Sequence, residues 1–417
     1  MNLGLVSLIV LLVAIIIGFV RNMNVGILAI AAAMILGLVY GLSAKELISG
    51  FSSSLFLQMV GITYMFAIVN GNGTLTNVAN RVVGLVGKRT YLIPFVMFAM
   101  GYLICSVGPG AIPSLAIIPV LAVPIAVSAG LNPIMLSLAG QIGVQAGRMS
   151  PLTPEAAVVR ELMAAQGIEM STVTVGWCLL VTELLLFVAV YLYYKGWKAE
   201  AGHVEEVRQA EPFNKSQLLS LAGLAVLVVG VLFFSWNVGL SGFLIGSLLI
   251  AAGAGNEKES IKGVPWNVIL MVMGVGILMN IITNSGGIDL LVAGLEKVMT
   301  ANTASPIMAI AAGIMSFFSS GLGVVFPTLI PTTGGLATSL SVSPVELCAA
   351  VVVGGTITGF SPISTAGALI MAAVSQEKDA ETRYPQNKMF VELFGVAFAG
   401  LVILAAMTAI GVFGWIC

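Results

Sequence analysis

The sequence predicts an all-α polytopic membrane protein made of two inverted-topology repeats, each with about five crossings plus a re-entrant hairpin and a broken helix. Three observations predict it. Of 417 residues, 59% are hydrophobic and only 8% charged, where a soluble domain carries about 25% charged residues. Uncharged runs recur along the whole chain, among them Leu3–Val20, Asn22–Ala44, Leu47–Asn80, Thr90–Gly147 and Leu393–Cys417, and about 20 apolar residues make one helical crossing. Finally, short motifs of the first half return in the same order in the second.

Asn24-Val25-Gly26 returns as Asn237-Val238-Gly239, and Asn72-Gly73-Thr74 as Ser285-Gly286-Gly287. Gly108-Pro109-Gly110 corresponds to Gly321-Leu322-Gly323, each followed by a proline, Pro113 and Pro327. Leu131-Asn132-Pro133 matches Val342-Ser343-Pro344, and Ser150-Pro151-Leu152-Thr153 matches Ser361-Pro362-Ile363-Ser364, all at offsets of 211 to 214 residues. A single match is weak, but a series at nearly one offset marks a duplicated unit. The expected organisation is a first repeat over residues 1–195, a cytoplasmic linker over 196–214 holding His203, Glu205, Glu206, Arg208 and Glu211, and a second repeat over 215–417.

Each half reads as two plain helices, a third ending near Asn70 or Asn284, an amphipathic arm, a hairpin, a broken crossing and a final plain helix. Five crossings per half turn the second half upside down. If the first helix enters from outside, 13 of the 17 basic residues face the cytoplasm, only Lys45, Arg160 and Lys297 face outward, and Arg148 falls within the membrane. That bias obeys the positive-inside rule and places the chain in a cell inner (cytoplasmic) membrane with both termini outside. The first run lacks a basic n-region and a small-residue cleavage site, so it reads as a span rather than a signal peptide.

Several function classes fall away. The cysteines (Cys105, Cys178, Cys348, Cys417) are scattered singly, His203 is the sole histidine, and no H-E-x-x-H or G-x-S-x-G occurs. No metal site, catalytic group or cofactor beyond a coupling ion is therefore assigned, and the chain is not read as an enzyme. With a net charge of −1 and no basic patch, it is not read as a nucleic-acid binder.

The chemistry is expected where helices break. Tyr91–Cys105 is too short to cross, about 22 Å at 1.5 Å per residue, so it reads as the descending limb of a re-entrant hairpin. Its tip is Ser106–Gly110 and its return limb Ala111–Val127; Pro306–Phe318, Ser319–Gly323 and Val325–Leu340 form the counterpart. Next, Pro133–Gly147 breaks at Arg148-Met149-Ser150-Pro151 and restarts near Leu152, as Pro344–Thr358 breaks at Gly359-Phe360-Ser361-Pro362 and restarts at Ile363. Ser followed by Pro is a helix-start signature, and a helix start at membrane depth presents unpaired N–H groups and partial positive charge to an anion. Two inverted copies aim two such starts at one midplane cavity, which suits a substrate with two carboxylates.

Candidate substrate contacts are Ser106, Gly108, Arg148, Ser150, Pro151 and Thr153 in the first half, and Ser320, Gly321, Ser361, Pro362 and Ser364 in the second. Arg148 interrupts an otherwise uncharged stretch, and an intramembrane charge marks a functional site by default. It either clamps a substrate carboxylate or pairs with Glu155; Gly359 holds the equivalent place. Glu183 is read as a buried inter-helix group or a proton carrier, and Glu346 as part of a capping box with Ser343. The segments Val78–Val86 and Leu290–Val298 are read as interfacial arms.

With Asn72-Gly73-Thr74, Leu92-Ile93-Pro94, Gln145-Ala146-Gly147, Ser150-Pro151 and Gly359-Phe360-Ser361-Pro362-Ile363-Ser364, the chain resembles the MatC-type dicarboxylate carriers of the ion transporter superfamily. That superfamily also holds the divalent anion/sodium symporters and the anaerobic C4-dicarboxylate carriers. The resemblance implies a homodimer with a scaffold domain and a mobile transport domain. It also implies elevator movement, a small dicarboxylate such as malonate or succinate, and usually sodium coupling. It places coupling ions near Ser106, Gly110, Gly147, Ser319, Gly323 and Thr358. The family's Ser/Thr-Pro pairs are matched by Ser150-Pro151 and Ser361-Pro362, but Ser106-Val107-Gly108 and Ser320-Gly321-Leu322 lack the Asn and Thr of the symporters' tips. Sodium and proton coupling both stay open, as does a carrier of another small organic anion. A channel needs a continuous polar pore, which re-entrant tips argue against.

Overall fold

The computed structural model describes residues 3–21, 23–84, 90–108, 110–198, 212–234, 236–318, 320–362, 364–375 and 383–417. Among these there is no strand. The first series of helices is α1 (Leu3–Arg21), α2 (Val25–Tyr40), α3 (Ser53–Gly71), α4 (Thr74–Gly84), α5 (Ile93–Ser106), α6 (Ala111–Ser128), α7 (Pro133–Ala146), α8 (Pro154–Ala164) and α9 (Thr172–Tyr193). The second repeats its order: α10 (Lys215–Phe234), α11 (Val238–Ala251), α12 (Trp266–Asn284), α13 (Gly287–Glu296), α14 (Ala304–Phe318), α15 (Thr333–Leu340), α16 (Pro344–Ile357), α17 (Thr365–Val374) and α18 (Gln386–Ile410).

Equivalent helices begin for equivalent reasons. Asn24 Oδ1 accepts from Gly26 N at 2.9 Å to start α2, and Asn237 Oδ1 accepts from Leu240 N at 3.0 Å to start α11. Before α7 and α16, Asn132 and Ser343 cap the free N–H groups, while Pro133 and Pro344 take the first helical position, where a proline gives up no hydrogen bond.

The two series interlock reciprocally. Helix α2 packs on α12, and α11 packs on α3. Both crossings bring backbone onto backbone at glycine. A Cβ on Gly274 would lie 2.1 Å from Gly26 O, and one on Gly61 would lie 2.0 Å from Gly239 O. Small residues let membrane helices approach this closely, and the contacts occur at equivalent positions, as a two-fold relation between the halves requires. Within each half the packing is equivalent too, α5 on α7 in the first and α14 on α16 in the second.

The single helices Ser53–Gly71, Thr172–Tyr193, Trp266–Asn284 and Gln386–Ile410 are each long and apolar enough to cross a membrane. Helices α2 and α11 are apolar but have 16 and 14 residues, roughly 24 and 21 Å of helix.

Several elements differ from the sequence expectation. The second return limb begins at Gly321 as a π-helical turn, runs through Phe326–Leu329 and a 3₁₀ turn at Ile330–Thr332, and becomes α-helical again at Thr333. Pro327 and Pro331 cannot donate within a regular ladder, so the limb changes helix type rather than running straight from Val325. Cys178 and Cys417, remote in sequence, meet with sulfurs 3.6 Å apart. Pro109, Ser319, Ile363 and positions 199–211 of the expected linker lie outside the described residues.

Candidate functional site

Both broken crossings are interrupted as the sequence implies, but the helices restart two residues later than expected, at Pro154 and Thr365. Thr153, not Ser150, is the N-cap of α8; its Oγ1 accepts from Ala156 N at 3.3 Å, and Pro154 takes the first helical position. Ser150-Pro151 lies in the preceding turn. In the second half Ser361-Pro362 is likewise a turn, and Ser364 precedes α17. A side chain caps only if its oxygen faces the open N–H groups. The Ser150 hydroxyl instead donates to Ser106 O at 2.6 Å, while the Ser364 hydroxyl donates back to the Gly359 and Ser361 carbonyls. Helix α17 therefore starts without a side-chain cap.

The predicted site residues do not converge on one cavity. A cavity of about 440 Å³ is lined by Arg148 and Gln145 from the first break, by Ser320, Gly321 and Leu322 from the second tip, and by Thr356, Gly359, Ser364 and Thr365 from the second break. Its outer wall is Ile15, Gly18, Met23 and Val25 of the α1–α2 region with Val268 and Met271 of α12. Ser106, Gly147, Ser150 and Pro151 line a separate pocket of about 180 Å³ against Val173, Gly176 and Trp177 of α9. Of the named substrate contacts, Arg148, Ser320, Gly321 and Ser364 line the larger cavity, and Ser106, Ser150 and Pro151 the smaller.

The remaining candidates line neither space. Gly108 (φ 146°) packs its backbone against Phe66 and Ile62 of α3, and the Thr153 hydroxyl donates to the Arg148 and Ser150 carbonyls. Ser361 and Pro362 are buried. Among the expected ion contacts, Gly110 abuts the Glu155 carboxylate, Gly323 N donates to Ser320 Oγ at 3.1 Å, and Thr358 Oγ1 donates to Gly313 O at 2.8 Å. These three, with Ser106 and Gly147, stand apart from the larger cavity.

Arg148 is the charged side chain lining the larger cavity. Both readings of it have a geometric basis. Its Nη1 donates to Thr356 Oγ1 at 3.3 Å, and its Nε lies 3.9 Å from Glu155 Oε1 without a hydrogen bond. Glu155 is itself held by Ala111 N at 2.7 Å, at the start of α6. Sequence reasoning missed Gln145 and Thr356 as cavity residues, although the repeat offset pairs them. They meet across the pseudo-two-fold, with Gln145 Nε2 donating to Thr356 O at 3.4 Å. Gln145 Oε1 is buried without a partner. Glu183 is fully buried on α9 with neither oxygen hydrogen-bonded.

One cavity is thus walled by a hairpin tip, two helix breaks and one arginine. Residues 1–148 match the family model described as dicarboxylate carrier protein MatC N-terminus. The MatC-type resemblance thus holds over that stretch. No curated protein matches the chain. Among solved structures, the Alcanivorax borkumensis YdaH transporter, described as having an unusual topology, is similar at 12% identity and a TM-score of 0.61, over 91% of this chain and 90% of that one. Neisseria gonorrhoeae MtrF, described among antimetabolite efflux pumps, is similar at 13% identity and a TM-score of 0.57, over 91% and 84%. At such identities the likeness is one of fold. The chain is a multi-pass membrane protein with a transporter fold.

Proposed function

We propose that the chain is an ion-coupled secondary transporter of a small dicarboxylate of the malonate or succinate class, working by elevator-type alternating access. The observation that carries this reading is the cavity itself. Its volume of about 440 Å³ falls in the usual range for small-molecule sites. Arg148 faces it from one half, and the uncapped start of α17 faces it from the other. A guanidinium and an open helix N-terminus are both complementary to carboxylate, and two separate anion-attracting positions favour two carboxylates over one.

The placement of the tips supports movement. The first tip rests on Ile62 and Phe66 of α3, whereas the second rests on Met271 of α12 at Gly323. Met271 corresponds by the repeat offset to Gln58, one to two helical turns from Ile62 and Phe66, or about 6 to 12 Å along the axis. Gly323 lies two residues beyond the counterpart of Gly108, which accounts for only about 3 Å of helix. Unequal heights on equivalent helices suit a hairpin-bearing unit that slides against a scaffold.

Purified full chain in proteoliposomes tests the proposal. Saturable uptake of labelled malonate or succinate, driven by an inward sodium or proton gradient, is the expected result. The gradient that drives it identifies the coupling ion. Unsaturable flux with single-channel currents, or no flux of either acid, overturns it. Cytoplasmic-membrane placement, both termini outside and the homodimer belong to the same reading. Accessibility of a C-terminal tag and cross-linking in the membrane test these in turn.

A further inference from the structure

Building on the carrier reading, we propose that Glu155 is the internal counter-charge of the unloaded carrier: it neutralises Arg148 on the return journey and yields it to substrate on the loaded one. The pair is buried, with side-chain exposures of 8% and 2%. At 3.9 Å from Nε to Oε1 the charges attract, but no hydrogen bond fixes them, and Arg148 Nε and Glu155 Oε2 lack any hydrogen-bond partner. The guanidinium is therefore compensated without being locked, and it is the member of the pair that lines the cavity.

Glu155 has a second positive partner. Its Oε1 accepts from Ala111 N at 2.7 Å at the start of α6, an 18-residue helix whose N-terminus carries partial positive charge. When a substrate carboxylate takes Arg148, the Glu155 carboxylate keeps that amide and the helix end. Glu183 is another buried carboxylate, but neither of its oxygens is hydrogen-bonded and it forms no ion pair with Arg148 among the described residues. The exchange of partners is thus between substrate and Glu155. A carrier must also return unloaded to give net flux, and moving an uncompensated guanidinium through a water-excluded path is costly. Glu155 removes that cost. Exchange of substrate for substrate never uses the unloaded return.

The assay measures labelled succinate in two modes with the full chain in proteoliposomes: exchange into vesicles preloaded with unlabelled succinate, and net uptake into empty vesicles with sodium and proton gradients both imposed. In Glu155→Gln the amide carbonyl still accepts from Ala111 N, so the hairpin contact survives. Net uptake is expected to fall about tenfold or more, while exchange stays within about threefold and its KM drops, because an internal competitor for Arg148 is gone. A structural lesion alone raises KM and lowers both modes together. Glu155→Asp keeps the charge and is expected to keep the ratio of the two modes. Proportional loss in both modes, no loss in either, or a collapsed ratio in Glu155→Asp overturns the proposal. If the unmutated chain moves succinate and malonate in neither mode, the carrier reading fails and this proposal with it; if it moves them in both, only the proposal is at stake.

Discussion

The start of α6 in the first half meets the buried Glu155 carboxylate, whereas α17 and the second tip open onto the cavity, where Ala366 stands at the position equivalent to Glu155. One residue before each Met149/Phe360 pair the halves differ again, with Arg148 facing Gly359. The first half therefore brings its own anion and its own cation. The second brings neither, only an uncapped helix start, a Gly-rich tip and hydroxyls. Duplication supplies the geometry twice, and these two differences leave the first break internally charge-paired and the second open to the cavity.

The glycine crossings between the halves are equivalent even though the breaks are not. Gly61→Val and Gly274→Val each force a branched side chain into backbone 2.0 to 2.1 Å away. Neither neighbour is a flexible side chain that can move aside, and overpacking of this kind costs about 1–3 kcal/mol or more. Both variants are expected to give little folded protein by size-exclusion chromatography. A severe loss in one with a mild loss in the other would show that the halves are not bound together by one repeated crossing.

The next expected effect falls on the first break alone. Arg148→Gln removes the cavity's guanidinium; losing a charge-assisted contact to substrate worth about 1.5–3 kcal/mol should lower uptake at low substrate about ten- to a hundredfold. Arg148→Lys should recover little, since a point charge cannot serve Thr356 and a carboxylate together as a planar fork does. At the equivalent site, Gly359→Ala places a Cβ 3.0 Å from Gln145 Nε2, the free end of a flexible side chain. Uptake by that variant should stay within about threefold. Comparable losses at Arg148 and Gly359 would erase the asymmetry.

Much of the architecture was legible because repetition and apolar length are one-dimensional signals. Asn24 and Asn237 cap the helices that their motifs announce, and both helix breaks lie where Ser150-Pro151 and Ser361-Pro362 place them. The cap residues were not legible. Four consecutive residues, Ser-Pro-Leu-Thr and Ser-Pro-Ile-Ser, each offer two hydroxyls within a turn, and sequence cannot say which oxygen will face the amides. In the fold the first serine of the first half is drawn to the Ser106 carbonyl, leaving Thr153 to cap. The tie between the first break and the first hairpin was hidden for a similar reason: Glu155 reaches Ala111 N, 44 residues away, a contact set by helix packing rather than by any local pattern.

The smallest expected difference discriminates most sharply, because it compares residues that look interchangeable in the sequence. Ser150 and Ser361 head matching motifs, yet the Ser150 hydroxyl is turned to Ser106 O in the α9-side pocket, and Ser361 is fully buried. Ser364 lines the cavity, and its hydroxyl ties the Gly359 and Ser361 carbonyls into the turn that presents α17. A lost side-chain hydrogen bond of this kind is worth about 1 kcal/mol. Ser364→Ala should therefore raise the KM for dicarboxylate uptake several-fold, and Ser150→Ala should leave KM near the parent value while lowering thermal stability. A higher KM in Ser150→Ala than in Ser364→Ala would move the substrate to the α9-side pocket and reverse the roles assigned to the two halves.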